Sequence, residues 1–417
     1  MTPAELALLL RPLQFFNSHA AGTRDGLLEL GNTSEPRVLV WNPEVIGGIW
    51  HADRTLAHPG SRTFRPVLGE HSLIWADGQR HRDYRAALSV PLVRQLHTYR
   101  GMIAGIVDSF IDDLTPGTKF SLADWTRALA LRVMGAFVFG MDDTSFLRPF
   151  ARWMTRAIGS RPRTLAYRHL RGGLPTAGPE LDRLLVEQAR AARRDPRTLS
   201  AHLLAHDSPV AGMDDDELRD QVVTLLFAGH ETTASTAAWA LYWLHRHPEI
   251  GDRVRAELDR TRADEPGHDG SPLLDAVVSE TLRLTPPVPA AGTRKLATDC
   301  DLGDRRFRAG TVVMPQIYIA HRSPATFENP RRFNPDRFLD RDGTAYRRPI
   351  TQFFPFGGGT RHCPGAQLGQ LEVREILARV LRRLDLQLVE HRGPVEQLRA
   401  HTMAPSPRIR MRVRAYR

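Results

Sequence analysis

The longest helical pattern in the chain begins at an acidic run, Asp214 to Glu217, and continues to His247, where Pro248 ends it. Acidic residues in a first turn interact favourably with the positive N-terminal end of a helix dipole. At 1.5 Å per residue, roughly 30 residues span about 45 Å. Because the centre of this pattern is apolar, we predict a helix that crosses the middle of the molecule.

Shorter patterns flank this helix on both sides. Helical spacing runs from Arg80 to about Ala166 with turns in between, from Pro179 to Arg194, and from Leu273 to Leu284. A glycine-rich stretch, Phe356 to Gly365, precedes a last helical pattern that ends near Arg383. Strand-like runs are fewer: Val38 to Trp41, Arg294 to Ala297, Arg306 to Arg308 and Thr311 to Ile319. The patterns predict a mainly α fold with a small β portion.

Composition changes this picture little. A chain of 417 residues has a prior of two or three domains, but no linker separates the patterns. We therefore predict a single large domain over residues 1–417, with residues 1–30 peripheral. The net charge is +10, and Lys119 and Lys295 are the only lysines among 57 basic residues. No basic run is long enough for a nucleic-acid-binding tail, so the charge indicates an arginine-rich composition.

The two cysteines, Cys300 and Cys363, are too few for a structural zinc site without suitably spaced histidines. The N-terminus lacks the pattern of a signal peptide, and no apolar run is long enough for a membrane anchor. We therefore expect a cytoplasmic protein whose thiols are reduced.

Cys363 lies in the most informative segment of the chain. Phe356, Gly359, Cys363 and Gly365 form the frame Phe-x-x-Gly-x-x-x-Cys-x-Gly. Glycines allow tight turns, and the start of the helix that follows favours a thiolate, which is a metal ligand. The alternative is a buried apolar cysteine beside an ordinary turn, and the frame favours the metal ligand over it.

The long helix carries polar residues at its apolar centre, in the segment Ala228 to Thr233. A buried acid at Glu231 requires a polar gap, a partner or a bound proton. The Thr232 hydroxyl can bond back to the carbonyl of Ala228, and Gly229 leaves space beside that turn. A flexed core helix with one buried acid is the alternative.

Together these two segments resemble the cytochrome P450 family of haem-thiolate monooxygenases. The resemblance implies the cytochrome P450 fold, a haem b cofactor and Cys363 as the axial ligand of its iron. It also implies that Phe356 packs on the sulfur side of the haem and that Gly357 and Gly365 belong to the haem-binding loop. Arg361 would bind a haem propionate, where many relatives have histidine.

The resemblance assigns roles to the long helix as well. Thr232 would position dioxygen and a water molecule, and Glu231 would relay protons to the oxygen. Ala228 and Gly229 would border the cofactor.

Further cationic residues would pair with the haem propionates. The resemblance places His81, Arg85 and Arg294 in this role. A solvated strand arginine is the alternative for Arg294.

A Glu-x-x-Arg pair, Glu280 and Arg283, would join Arg337 in a buried network that supports the loop carrying Cys363. By itself this spacing indicates only a surface ion pair, because it recurs along the chain, for example at Glu396 and Arg399. Its position before Cys363 is what favours the network.

For partners, the resemblance implies a hydrophobic small-molecule substrate of the terpenoid, polyketide or fatty-acyl kind. Electrons would come from NAD(P)H through a ferredoxin or flavodoxin and its reductase. We expect a monomer with no fused reductase. The alternatives are a haem-thiolate peroxygenase, a coupling or dehydrating enzyme, and a non-enzymatic haem sensor. An arginine-rich segment, Arg152 to Arg171, is interpreted as a solvated helix face rather than a grip on a carboxylate.

Overall fold

A computed structural model describes residues 3–20, 25–30, 35–61, 63–140, 145–260, 271–389, 395–399 and 402–417. The described chain is mainly helical. Its helices are α1 (Pro3–Leu10), α2 (Pro12–Ala20), α3 (Pro43–Ala52), α4 (Arg65–Leu68), α5 (Gly78–Ser89), α6 (Leu96–Asp112), α7 (Leu122–Phe139), α8 (Arg148–Ile158), α9 (Arg161–Leu170), α10 (Pro179–Ala191), α11 (Leu199–Leu204), α12 (Asp215–Arg246), α13 (Pro248–Arg260), α14 (Pro272–Leu284), α15 (Ile317–Ala320) and α16 (Ala366–Arg383).

In the part of the chain that the structure describes, the strands are short and form four small sheets. They are β1 (Leu27–Leu30), β2 (Arg37–Val40), β3 (Lys119–Ser121), β4 (Arg294–Lys295), β5 (Cys300–Leu302), β6 (Arg305–Phe307), β7 (Val312–Pro315), β8 (Leu384–Leu388), β9 (Glu396–Arg399), β10 (Thr402–Pro405) and β11 (Arg410–Tyr416). The predicted fold class, mainly α with a small β portion, is confirmed.

The residues group into two compact units, each discontinuous in sequence. The first unit contains Met1–Gly60 and Asp275–Cys363, and the second contains Ser61–Leu274 and Pro364–Arg417. The single domain over residues 1–417 stays a prediction.

The first unit is built on a four-stranded sheet in the order β1-β2-β7-β4. Strand β2 is parallel to β7, whereas β1 and β4 are antiparallel to their neighbours. The Asn42 side chain caps α3 by accepting from the Glu44 and Val45 amides. Helix α2 packs on α15 through the rings of Phe16 and Tyr318, whose centroids are 5.7 Å apart.

Within residues 1–30, the described segments include buried side chains and one strand of the sheet, and the expected peripheral position stays a prediction. Phe15 and Phe16 are buried, and β1 pairs with β2 as the outer strand of the sheet. These aromatic side chains bury apolar area that a loose N-terminal segment would expose.

The second unit is organised around α12, whose 32 residues confirm the predicted long helix. The Asp214 side chain caps it by accepting from the Glu217 amide. Helix α12 packs along α7, where the Met134 side chain occupies the position that a Cβ on Gly229 would take. The space that we expected beside Gly229 is therefore filled by Met134. Beside α12 lie the paired strands β9 and β10, held where the Trp239 indole donates to the Met403 carbonyl at 3.3 Å.

Two predictions for the strands were incomplete. The run Thr311 to Ile319 forms β7 only as far as Pro315, and Ile317–Ala320 is helical. The C-terminal strands were not predicted, although β11 pairs with both β3 and β8. Among the helices that the structure describes, none combines the length and the apolar character needed to cross a membrane.

Candidate active site

The segment from Phe356 to Cys363, which we call the cysteine loop, is a closed turn within the first unit. The Cys363 amide donates to the Phe356 carbonyl at 2.9 Å, which brings the two ends of the loop together. Gly357 and Gly359 have φ values of 70° and 65°, in the left-handed region that favours glycine. Cys363 is half-buried and, like Cys300, is not in a disulfide. The loop therefore presents its thiol from a tightly folded backbone.

Arg294 contacts this loop directly. Its side chain is 1% exposed, its Nε donates to Asp53 Oδ1 at 2.7 Å, and its Nη2 donates to the Gly358 carbonyl at 3.1 Å. A third bond goes to the Gly292 carbonyl. A guanidinium group has five N–H donors, so these contacts leave two for a further acceptor. Its binding to a haem propionate stays a prediction, but the solvated strand arginine is wrong.

Glu280, Arg283 and Arg337 form one hydrogen-bonded cluster, and its support of the cysteine loop stays a prediction. Arg283 donates to both carboxylate oxygens of Glu280, at 2.6 and 2.8 Å, and Arg337 Nε donates to Oε1 at 3.2 Å. The Asn334 amide also donates to this carboxylate at 2.8 Å. Glu280 and Arg283 are fully buried, so this pair is a core ion pair and not the surface pair that its spacing alone would indicate.

His321 connects this network to the cysteine loop. Its carbonyl accepts from Arg283 Nη1 at 2.7 Å, and its ring Nε2 accepts from the Phe354 amide at 2.9 Å, two residues before Phe356. Burial, with the nearby charge of Arg283, lowers the pKa of His321 to about 3. The neutral ring is therefore a stable acceptor at Nε2. Sequence analysis did not single out His321.

In the second unit, one face of α12, which we call the open face, is less buried than the rest of the helix. Ala228 is exposed, and Leu225, Gly229 and Thr232 are half-buried, whereas most of the helix around them is buried. These positions follow the i, i+3, i+4, i+7 spacing of a single helix face. The Thr232 hydroxyl donates to the Ala228 carbonyl at 2.8 Å, which confirms the predicted back-bond.

Glu231 lies beside this open face but points into a cluster of cations. Its Oε1 lies 3.4 Å from Arg399 Nη2, 3.4 Å from Arg127 Nε and 3.5 Å from His230 Nε2. Burial alone raises the pKa of the Glu231 carboxyl, but the hydrogen bond and charge of His230, with the charges of Arg399 and Arg127, outweigh it and hold the pKa below its usual range. Of the three possibilities for a buried acid, the structure shows a partnered carboxylate.

The remaining predicted residues occupy three further positions. On α5, His81 is buried and Arg85 is half-buried, and their i, i+4 spacing puts both on one helix face. Arg361 ends a short 3-10 turn, and Gly365 is the N-cap residue of α16. Their roles toward haem stay predictions.

The arginine-rich segment is largely the solvated helix face that we expected, because Arg152, Arg156, Arg163, Arg168 and Arg171 are exposed. Arg152 and Arg156 on α8 line a cavity of about 660 Å³ together with Trp153 and residues at the start of α10. Arg161 is half-buried, and burial lowers its pKa. The interpretation as a solvated face therefore holds for the exposed arginines, and Arg161 is the exception.

The side chains present suit a haem group. A cysteine thiolate is a soft ligand for haem iron, and guanidinium groups pair with carboxylates such as the haem propionates. The loop supplies Cys363 as the thiol, and Arg294 is a buried guanidinium that contacts the same loop. These are the features of a haem-thiolate protein.

Comparison with known proteins supports the assignment as a haem-thiolate protein. The family model described as Cytochrome P450 matches residues 181–413. Cyclooctat-9-en-7-ol 5-monooxygenase of Streptomyces melanosporofaciens is 32% identical over 409 residues, which cover 92% of this chain and 87% of that protein. A Mycobacterium tuberculosis protein (strain ATCC 25618 / H37Rv) assigned by its name to the cytochrome P450 family, 135B1, is 33% identical over 91% of this chain and 82% of its own length.

Solved structures show the same fold. Retinoic acid-bound cyanobacterial CYP120A1 aligns with a TM-score of 0.81 at 26% identity, covering 94% of this chain and 92% of that one. The haem domain of cytochrome P450DA aligns with a TM-score of 0.80 at 24% identity, over 97% and 92% of the two chains. The chain belongs to the cytochrome P450 family. It is a monooxygenase with the cytochrome P450 fold that uses haem b, a redox partner and a hydrophobic substrate.

We predict that Arg283→Ala abolishes the haem-loaded protein. The substitution leaves Glu280 buried with a weaker set of partners, and removing one member of a buried pair costs about 3–5 kcal/mol. Arg255→Ala is the matched control, because Arg255 forms an i, i+3 pair with an aspartate that is 72% exposed. The measurement is the ratio of haem to protein after purification. A soluble Arg283→Ala variant with a full haem content would contradict this role.

We predict that Arg399→Met destabilises the protein by about 3 kcal/mol at neutral pH, because Glu231 loses a cation inside the fold. The lowered pKa of Glu231 stabilises the fold fully above its usual value of 4.5, and this contribution decreases as the pH falls below that value. The difference in melting temperature between the two proteins should therefore shrink toward acid pH.

Circular dichroism across a pH series measures this effect. Arg414→Met is the control, since Arg414 pairs at the surface with Asp385 at 3.7 Å. Equal melting temperatures for Arg399→Met and Arg414→Met at pH 7 would show that Arg399 is not a required partner of Glu231.

Proposed function

We propose that Cys363 is the axial ligand of the haem iron and that Thr232 and Glu231 serve oxygen activation in a monooxygenase of hydrophobic small molecules. The observation that carries this proposal is the thiol on the closed cysteine loop. When bound, the haem supplies the redox chemistry that splits dioxygen. The chain's own residues hold the group, admit protons and exclude unproductive reactions.

Thr232 is suited to orient a water molecule. Its hydrogen is donated to the Ala228 carbonyl at 2.8 Å, so its oxygen lone pairs remain able to accept. The half-buried position of its side chain on the open face of α12 makes that oxygen accessible. Thr232 thus offers a fixed acceptor for a proton-carrying water.

Glu231 contributes as a carboxylate rather than as a stored acid, because three cationic or cation-forming groups surround it. A polar line extends from it toward the surface: Arg127 Nη1 donates at 2.8 Å to Asp124, whose side chain is 58% exposed. We propose that water molecules along this line carry the protons to the open face and that Glu231 accepts each one only in passing, because the guanidinium group of Arg127 keeps its own protons. A pathway of this kind supplies the protons that oxygen cleavage consumes.

The substrate class rests on the relatives. One relative is named for cyclooctat-9-en-7-ol, and one structural neighbour is bound to retinoic acid. Both point to an apolar molecule of the terpenoid kind, with polyketides and fatty-acyl chains as close chemical alternatives.

Electrons are proposed to come from NAD(P)H through a ferredoxin or flavodoxin. The net charge of +10 supports an acidic protein partner. A peroxygenase would turn over with hydrogen peroxide alone, and a haem sensor would not consume NAD(P)H. Product formation with a reductase and ferredoxin, and not with peroxide alone, separates the three.

We predict that the reduced carbon monoxide complex has the Soret position of a thiolate-ligated haem, because Cys363 supplies the sulfur. Cys363→Ser should lose that band, and Cys300→Ser should keep it. Cys300 lies on β5 and is the matched control. A thiolate band that survives in Cys363→Ser would assign the ligand to another residue.

We predict that Thr232→Ala lowers the fraction of electrons that reaches product by about tenfold, since a positioned proton-transfer group contributes at least that much. Hydrogen peroxide release per NAD(P)H should rise correspondingly, with a spin-shifting substrate found by screening. Thr232→Ser keeps the hydroxyl and should retain most of the coupling. Equal coupling in the alanine variant and the original protein would remove Thr232 from oxygen activation.

A further inference from the structure

A buried carboxylate that belongs to none of the predicted motifs is hydrogen-bonded to the cysteine loop. Asp53, at the end of α3, is 1% exposed. Its Oδ2 accepts from the Thr360 amide at 2.7 Å and from the Thr360 hydroxyl at 2.6 Å. Its Oδ1 accepts from Arg294 Nε at 2.7 Å and lies 3.4 Å from His58 Nε2. One side chain therefore joins α3, β4 and the loop.

The ion pair holds the loop from two directions. Asp53 supplies acceptors to Thr360, and Arg294 supplies a donor to the Gly358 carbonyl at 3.1 Å. The loop backbone is consequently fixed at the Gly358 carbonyl and at the Thr360 amide, just before Cys363. Hydrogen bonds to a charged group, such as these two, are stronger than hydrogen bonds between neutral groups.

The glycines of the loop provide a second, independent observation. A Cβ on Gly359 would lie 2.5 Å from Asp53 Oδ2, and a Cβ on Gly358 would lie 2.6 Å from the ring of Trp50. Trp50 also stacks under the Arg294 guanidinium, 4.8 Å from its ring centroid. The loop therefore carries glycine where Asp53 and Trp50 approach its backbone.

Asp53 is charged in this position. Burial alone raises the pKa of its carboxyl, but hydrogen bonds from His58, Arg294 and Thr360 outweigh that effect and hold the pKa well below its usual range. A carboxylate also balances the positive charge of Arg294, which is itself only 1% exposed.

We propose that Asp53 is a positioning residue for the thiolate: by fixing residues 358–360 it holds Cys363 in place to bind and retain the haem iron. The inference rests on the proposed role of Cys363 as the iron ligand. Loss of a residue that orients a metal ligand without touching the metal typically lowers metal affinity about 10- to 100-fold. Asp53 touches neither substrate nor iron in this role, and it acts through the loop.

The test compares Thr360→Val and Thr360→Ser with Asp53→Ala in the haem-loaded protein. Valine keeps the shape and the backbone amide of Thr360 but removes the hydroxyl bond to Asp53, whereas serine retains it. The control is Glu35→Gln, which breaks the ion pair between Glu35 and Lys295, the residue after Arg294. The readouts are haem transfer to apomyoglobin, the reduction potential, and the thiolate-ligated fraction of the reduced carbon monoxide complex.

We expect haem transfer to be about tenfold faster in Asp53→Ala and severalfold faster in Thr360→Val, with a shifted potential and a smaller thiolate-ligated fraction in both. Thr360→Ser and Glu35→Gln should match the original protein. If Asp53→Ala does not fold, the valine–serine pair decides. Original rates and potential in Thr360→Val and in any folded Asp53→Ala would overturn the inference. If the original protein itself lacks the thiolate band, the proposed function fails, and the inference falls with it.

Discussion

Charge that is buried must be matched, and this constraint organises both units of the structure. Glu280 and Asp53 are fully buried carboxylates in the first unit, and each is bonded to a buried arginine. Glu231 is a buried carboxylate in the second unit, with Arg399 and Arg127 beside it. An unpaired charge at any of these positions would cost several kcal/mol, so the segments that carry the partners are held together. In each case, one of those segments bears residues of the candidate site.

The same constraint gives the arginine-rich composition a specific meaning. Most of the excess positive charge is compositional, as the scarcity of lysine indicates. A small set of arginines nevertheless lies in the core, and Arg283 makes hydrogen bonds to three backbone carbonyls in addition to its carboxylate. A planar guanidinium group can serve several acceptors at fixed angles, which a lysine ammonium group cannot do as well. Arginine is therefore the residue that can both balance a buried acid and fasten a loop.

How much of this could be predicted from the sequence depends on the range of the interaction. Helix α12, the cysteine loop and the back-bond of Thr232 are local features, and their patterns predicted them. The Glu280 network was predicted only through the family resemblance. Strand β11 also has a local signal, because arginine alternates with apolar residues from 408 to 414 in the period-2 pattern of a strand.

The partners of Asp53 and Glu231 could not be predicted in this way. Asp53 meets residues more than 240 positions away. Arg399 has the recurrent Glu-x-x-Arg spacing, but its side chain lies beside Glu231 on another element. Spacing along one helix or strand carries no information about a contact that the fold creates between distant segments.

The distances separate two uses of a buried carboxylate. Asp53 accepts bonds of 2.6 to 2.7 Å from Thr360 and Arg294, and Glu280 accepts bonds of 2.6 and 2.8 Å from Arg283. Such short charge-assisted bonds leave little freedom. Glu231 lies 3.4 Å from Arg399 Nη2 and 3.4 Å from Arg127 Nε, and the charges of these groups help to hold it ionised with weaker direct bonds. A loosely bonded carboxylate beside an open helix face can exchange partners with water, whereas a tightly bonded one cannot. Positioning residues and a proton-handling residue can thus follow from one rule of charge matching, applied at different distances.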